Sequence, residues 1–344
     1  MSDAPPDATD HQRSTTRVRA TDGPPEAGAP SLDARRLWGA LRESVGRAVV
    51  GAEPAMRLMA VALLADGHVL IEDVPGIGKT LLARAFAAAL GLQSARIQGT
   101  PDLLPVDVTG SSLIEAGAFR FVPGPVFTNL LLVDEINRAT PRTQSALLEA
   151  MQERQVSIEG TTRPLPDPFL LIATQNPIEF EGTFALPEAQ IDRFLVRVAV
   201  GYPDEDAELT IAARYDELGD PLDRVPLAVS AEAIAELRAS VRRVLVSEDV
   251  ARFAVRIVRA TRAHPDVRLG ASPRASVALH RASQAAAFLE GRSFVLPDDV
   301  VGVAPAVLGH RLLLDVDREL RGATAEDVVR DVLAEVPIPM PTAS

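Results

Sequence analysis

Val69-Leu70-Ile71-Glu72-Asp73-Val74-Pro75-Gly76-Ile77-Gly78-Lys79-Thr80 is the stretch on which the reading of this chain turns. Val69-Leu70-Ile71 is an apolar run of strand length, and Thr80 to Leu90 carries a helical pattern ended by Gly91. Between them lies a bend rich in glycine and proline, which is the setting a phosphate-binding loop requires. Pro75, Gly76, Ile77 and Gly78 would turn backbone N–H groups toward phosphate oxygens, helped by the positive potential of a helix N-terminus. Lys79 would reach the β- and γ-phosphates, and Thr80 would offer its hydroxyl to Mg²⁺. The usual motif opens on glycine, whereas Asp73 stands in that place here. A tight glycine turn without a ligand is the plain alternative.

Composition sharpens the reading of Lys79. It is the one lysine among 35 basic residues; all the others are arginine. A position that keeps lysine against so strong a bias needs a slim ammonium that a branched guanidinium does not replace. The chain has 344 residues, with 47% hydrophobic and 24% charged, which fits two folded units with a sizeable core. The net charge of −12 argues against broad nucleic-acid binding, because basic patches are needed to displace counterions from phosphates. With no cysteine, disulfides, thiolate catalysis and thiolate metal sites are excluded. No apolar run approaches the roughly 18 residues of a membrane span, and the N-terminus lacks a secretory stretch. The expected location is the cytoplasm.

Working outward, Leu130-Leu131-Leu132-Val133-Asp134-Glu135 is a second buried strand ending in two carboxylates. Open α/β sheets bind ligands at that end of their strands. Asp134 would hold Mg²⁺, and Glu135 would act as the base on an attacking water. Phe169 to Thr174 is a third core strand, and it delivers Asn176 to the same edge, where a polar side chain can orient water against a γ-phosphate. An Asn-Pro turn accounts for Asn176-Pro177 equally well on local grounds. Between the first two strands, residues 97–129 form an excursion with a hairpin near Phe119 to Val122. A second short β excursion covers 155–168. Strands alternating with helices predict a parallel α/β sheet. After Tyr202-Pro203 the pattern turns helical, with helices starting near Asp204, Ser230, Ser247, Ser272 and Pro297. The expected division is a disordered tail over 1–31, an α/β domain over 32–203 and a smaller all-helical lid over 204–344.

The series Gly76-Ile77-Gly78-Lys79-Thr80, Asp134-Glu135-Ile136-Asn137-Arg138 and Thr174-Gln175-Asn176-Pro177 resembles a AAA+ ATPase. Within that class, three longer stretches are similar to the MoxR group. They are Pro141 through Met151, Leu186 through Phe194, and Gly270-Ala271-Ser272-Pro273-Arg274-Ala275. The resemblance covers residue 35 to the C-terminus and implies a P-loop AAA+ αβα sandwich followed by a helical lid. It implies that 97–129 is an insert in the second helix and that Val50 and Gly51 lie near the adenine of ATP. It also implies that Arg193 is an arginine finger, that Arg274 is the second sensor of the lid, and that ATP with Mg²⁺ is bound and hydrolysed. The partners it implies are further copies of the chain, as a hexamer, and protein clients that are remodelled in a chaperone-like way. Proteins with von Willebrand factor A domains are among such clients.

Other readings stay open at this stage. On local grounds Arg193 could pair with Asp192 or Glu188, and Arg274 could be an ordinary first-turn arginine. A magnesium-chelatase motor subunit would share the helix-two insert, and a nucleotide-gated scaffold would bind ATP without useful hydrolysis. A DNA-remodelling motor is disfavoured by the acidic charge. GTP is disfavoured because its Asn-Lys-x-Asp reader needs a second lysine. The five histidines are scattered, without metal-ligand spacing.

Overall fold

The structure, a computed structural model, describes residues 33–115, 118–176, 182–215 and 219–339. The expected tail over 1–31 lies outside them. Helices α1 (Asp33–Gly46) and α2 (Glu53–Leu64) lead into β1 (Val69–Glu72) and α3 (Lys79–Ala89). Then come β2 (Ser94–Gln98), α4 (Pro105–Thr109), the hairpin β3 (Gly110–Glu115) and β4 (Ala118–Pro123), β5 (Leu130–Asp134) and α5 (Pro141–Glu153). A second hairpin, β6 (Gln155–Ile158) and β7 (Thr161–Pro164), precedes β8 (Leu170–Gln175), α6 (Glu188–Ile191) and β9 (Val196–Val198).

Five of these strands build one parallel sheet in the order β2-β5-β8-β1-β9. The three apolar runs read from the sequence are its three central strands. They are apolar without alternation because both faces of the sheet are covered. Val69, Ile71, Leu130, Leu132, Leu170 and Ile172 face one core. The intervening Leu70, Leu131, Val133, Leu171 and Ala173 face the other, where α5 and the β6–β7 hairpin pack.

The remaining chain is mainly helical: α7 (Glu205–Tyr215), α8 (Ala231–Val241), α9 (Glu248–Thr261), β10 (Val267–Leu269) and α10 (Pro273–Leu289). It closes with α11 (Pro297–Leu308), β11 (Leu313–Leu314), α12 (Val316–Glu319) and α13 (Ala325–Glu335). The helix starts read near Ser230 and Ser247 hold, and Thr140 opens α5; the three hydroxyls each accept a backbone N–H of the first turn. Helix α10 packs on α2, α9 and α11, and α11 packs on β9 and α13. Apolar side chains of these helices therefore join the core of α1, α2 and one sheet face. The architecture is a P-loop AAA+ αβα domain with a helical lid.

Two sheet strands escape the sequence reading. β2 buries only Ile97 among its five residues, and β9 is three residues long with Arg197 at its centre. Both are edge strands, so neither shows the continuous apolar run of a central one.

Candidate nucleotide site

The phosphate loop leaves β1 at Glu72 and enters α3 at Lys79. Gly76 and Gly78 hold φ of +86° and +83°, a region that a Cβ disfavours, so glycine is required there to bend the loop back on itself. The Lys79 ammonium donates to the backbone carbonyls of Asp73 at 2.5 Å and Val74 at 3.1 Å, folding back over the loop. The Thr80 hydroxyl lies 3.2–3.3 Å from both carboxylate oxygens of Asp134. Asp134 is 5% exposed and also receives the Thr174 hydroxyl at 3.3 Å and Arg96 Nε at 2.6 Å. Val50, Gly51 and the run Pro75 to Gly78 all line one cleft of about 640 Å³ beside the loop.

Glu135 begins where β5 ends and has left-handed backbone, φ +54°, unusual for a glutamate. Its N–H donates to the Thr174 hydroxyl at 2.9 Å, so one threonine holds both the Asp134 carboxylate and the Glu135 backbone. The Glu135 side chain accepts from Gln98 Nε2 at 2.9 Å and from Arg138 at 3.1 Å. Asn176 is buried one residue past β8, the strand beside β5. Lys79, Thr80, Asp134, Glu135 and Asn176 thus gather at the C-terminal edge of the sheet.

Arg193 and Arg274 lie elsewhere. β9 runs parallel to β1 with Val196 opposite Val69, so the residues before β9 sit at the N-terminal edge, away from the phosphate loop. Arg193 donates to the Leu148 carbonyl at 2.9 Å and pairs with neither Asp192 nor Glu188. Asp192 instead receives Arg311 Nε at 2.8 Å, the Ser272 hydroxyl at 3.3 Å and, at 3.9 Å, the Arg274 guanidinium. Arg274 keeps 55% of its side chain exposed, whereas Arg311 is only 3% exposed. Arg311 also donates to the carbonyls of Asp192 and Leu195, and His310 bonds the carbonyl of Phe194. The lid therefore grips the segment 192–195 that carries Arg193.

Several residues at the site escape the motif reading. Arg96 and Gln98 lie on the unread strand β2, and alternation over Ser94–Gln98 is the signal that would have exposed them. Thr174 stands inside a quoted motif, but its hydroxyl is legible only once β8 is known to neighbour β5. Arg311 lies far along the chain from every motif.

Residues 68–196 match the family described as "ATPase family associated with various cellular activities (AAA)", and residues 259–332 match the AAA lid domain. The fold and these matches define a AAA+ ATPase. Bacillus subtilis YeaC, an uncharacterized protein, is 45% identical over 90% of this chain and 97% of its own. The chaperone MoxR1 of Mycobacterium tuberculosis is 43% identical over 86% of this chain and 80% of its own. A solved structure from Cytophaga hutchinsonii, described as a putative ATPase, superposes with a TM-score of 0.84 at 38% identity, covering 90% of this chain and 97% of that one. The chain belongs to the MoxR family of AAA+ ATPases. Among the described residues no helix is long and apolar enough to cross a membrane.

Proposed function

We propose that this chain binds ATP with Mg²⁺ and hydrolyses it to ADP and phosphate. It works in the cytoplasm as a subunit of a homo-oligomeric ring, a hexamer, that remodels protein clients. Proteins with von Willebrand factor A domains are among the clients proposed. Residues 32–203 form the nucleotide-binding domain, and the chain from 204 forms the lid. The observation that carries the reading is the separation of charge across the sheet. The phosphate loop and the carboxylates sit at one edge, and two arginines suited to phosphate sit at the other.

Such a layout suits a site completed between subunits. The triphosphate would draw Lys79 off the carbonyls of Asp73 and Val74, while the loop N–H groups take the phosphate oxygens. Thr80 and Asp134 present the hard oxygen donors that Mg²⁺ prefers, and would hold it. When bound, that ion would neutralise charge on the β- and γ-phosphates. Glu135 would take the proton of the attacking water, which Asn176 orients. For Glu135 to act, Gln98 and Arg138 must release its carboxylate, so both hold the base in check until nucleotide is seated. Arg193 and Arg274 would stabilise the γ-phosphate of the neighbouring subunit, a role worth about 10³–10⁵ in rate for arginine fingers.

Phosphate release with and without Glu135→Gln tests the hydrolytic reading. The wild type turns over ATP, while the variant binds it with unchanged affinity and is at least a hundredfold slower, in line with loss of a positioned base, worth about 10²–10⁴. A variant as fast as the wild type would remove Glu135 from the reaction.

A further inference from the structure

We propose that Asp73 is a positioning residue that locks the phosphate loop to the wall of the base pocket. Triphosphate and base are then gripped by one rigid frame. This rests on the nucleotide reading above. A carboxylate at the mouth of a phosphate loop is electrostatically unfavourable for a polyanionic ligand unless it is turned away and neutralised. Asp73 meets both conditions. Its Oδ1 accepts the Val74 N–H at 2.8 Å, and its Oδ2 accepts the N–H groups of Val200 and Gly201, both at 2.7 Å.

These bonds continue the sheet past its end. The β1–β9 pairing stops at Ile71 opposite Val198. Beyond it, Val200 and Gly201 present N–H groups with no partner strand, and Asp73 takes both. Gly201 has φ +76° and turns the chain there. Val200, Gly201 and Tyr202 line the same cleft as Pro75, Gly76 and Ile77. One side chain thus fixes the distance between the loop that takes phosphate and the wall that faces the base. One residue earlier, Glu72 pairs with Arg197 at 2.9 Å, and Arg197 reaches Glu326 of α13, extending the clasp to the lid. The Asp73 carbonyl is also where Lys79 rests before phosphate arrives.

Three N–H donors converge on one carboxylate, so its amide is not a substitute. In either orientation the amide introduced by Asp73→Asn would set its own NH₂ against a backbone N–H. Glycine at this position restores the ordinary start of the motif and removes the carboxylate without straining the loop. The test is calorimetric titration of wild type, Asp73→Asn and Asp73→Gly with two ligands, Mg-ATP and Mg-tripolyphosphate, the second lacking base and ribose. Both variants are expected to lose about tenfold in ATP affinity, or about 1.4 kcal/mol. Their tripolyphosphate affinity should stay within about twofold of wild type, since a single carboxylate bond set, not the loop, is removed. Equal losses for both ligands would overturn the proposal, because Asp73 would then shape only the phosphate loop. Unchanged ATP affinity in both variants would overturn it as well. In either case the nucleotide reading survives. Wild-type protein that binds neither ligand would sink that reading and the proposal together. Thermal melting of each variant confirms folding, and the ratio of the two affinities is a quantity that general destabilisation does not move.

Discussion

The proposed function leans on Lys79 more than on any other single residue, because no other side chain in the sequence offers an ammonium. Lys79→Ala is expected to abolish ATP binding in a calorimetric titration; wild-type affinity in that variant would refute the loop assignment. His68 makes a different kind of claim. It is buried, accepts the Leu171 N–H on Nδ1 at 3.0 Å and contacts the Met151 carbonyl through Nε2 at 3.1 Å. Only the neutral ring with its proton on Nε2 satisfies both. Burial first, then the nearby Arg154 cation, holds its pKa well below the ordinary 6.5. Below pH 6.5 the unfolded chain binds a proton that the folded one refuses, so stability falls as pH drops. Urea melts at about pH 7.5 and about pH 5.5 should show a larger acid loss for wild type than for His68→Gln, whose amide makes the same two bonds. Equal losses would place the pH dependence elsewhere. The lysine's proposed role rests on a local motif, whereas the histidine's bonds depend on which strand end lies beside which helix, and no local pattern records that.

At the scale of elements, legibility follows burial. The central strands β1, β5 and β8 announce themselves as apolar runs because they are covered on both faces. The edge strands β2 and β9 do not, and with β2 went Arg96 and Gln98, which contact Asp134 and Glu135. The helix starts read near Ser230 and Ser247 are sealed by cap bonds, whereas the one read near Ser272 is not. Ser272 makes no cap bond to α10 and instead donates to Asp192. That diversion belongs to the clasp between lid and sheet, where Arg311 is buried against Asp192. Burial depresses the Arg311 pKa, and Asp192 works against that depression. Asp192→Ala would strand this guanidinium without its counter-charge, a change expected to cost about 3–5 kcal/mol. Urea unfolding measures it. A loss under about 1 kcal/mol would show the pair to be no more than a surface contact.

Across the whole molecule, the sheet acts as a spacer. It holds the phosphate loop, Asp134 and Glu135 at one edge, and Arg193 and Arg274 at the other, with the lid gripping the arginine-bearing segment. The motifs named all of these residues, but their division between two edges is a property of strand direction and appears only in the fold. Central to the proposed function is that one subunit's arginines complete its neighbour's site. The direct measurement is the ATPase rate of a mixture of Arg193→Ala and Glu135→Gln subunits, with assembly and subunit exchange verified by light scattering. Arg193→Ala keeps a sound site but lends no finger, and Glu135→Gln lends the finger but has a dead site. Each alone should be nearly inactive, and the mixture should regain part of the wild-type rate at shared interfaces. A mixture that assembles, exchanges subunits and stays silent, or an Arg193→Ala protein fully active by itself, would contradict the shared site.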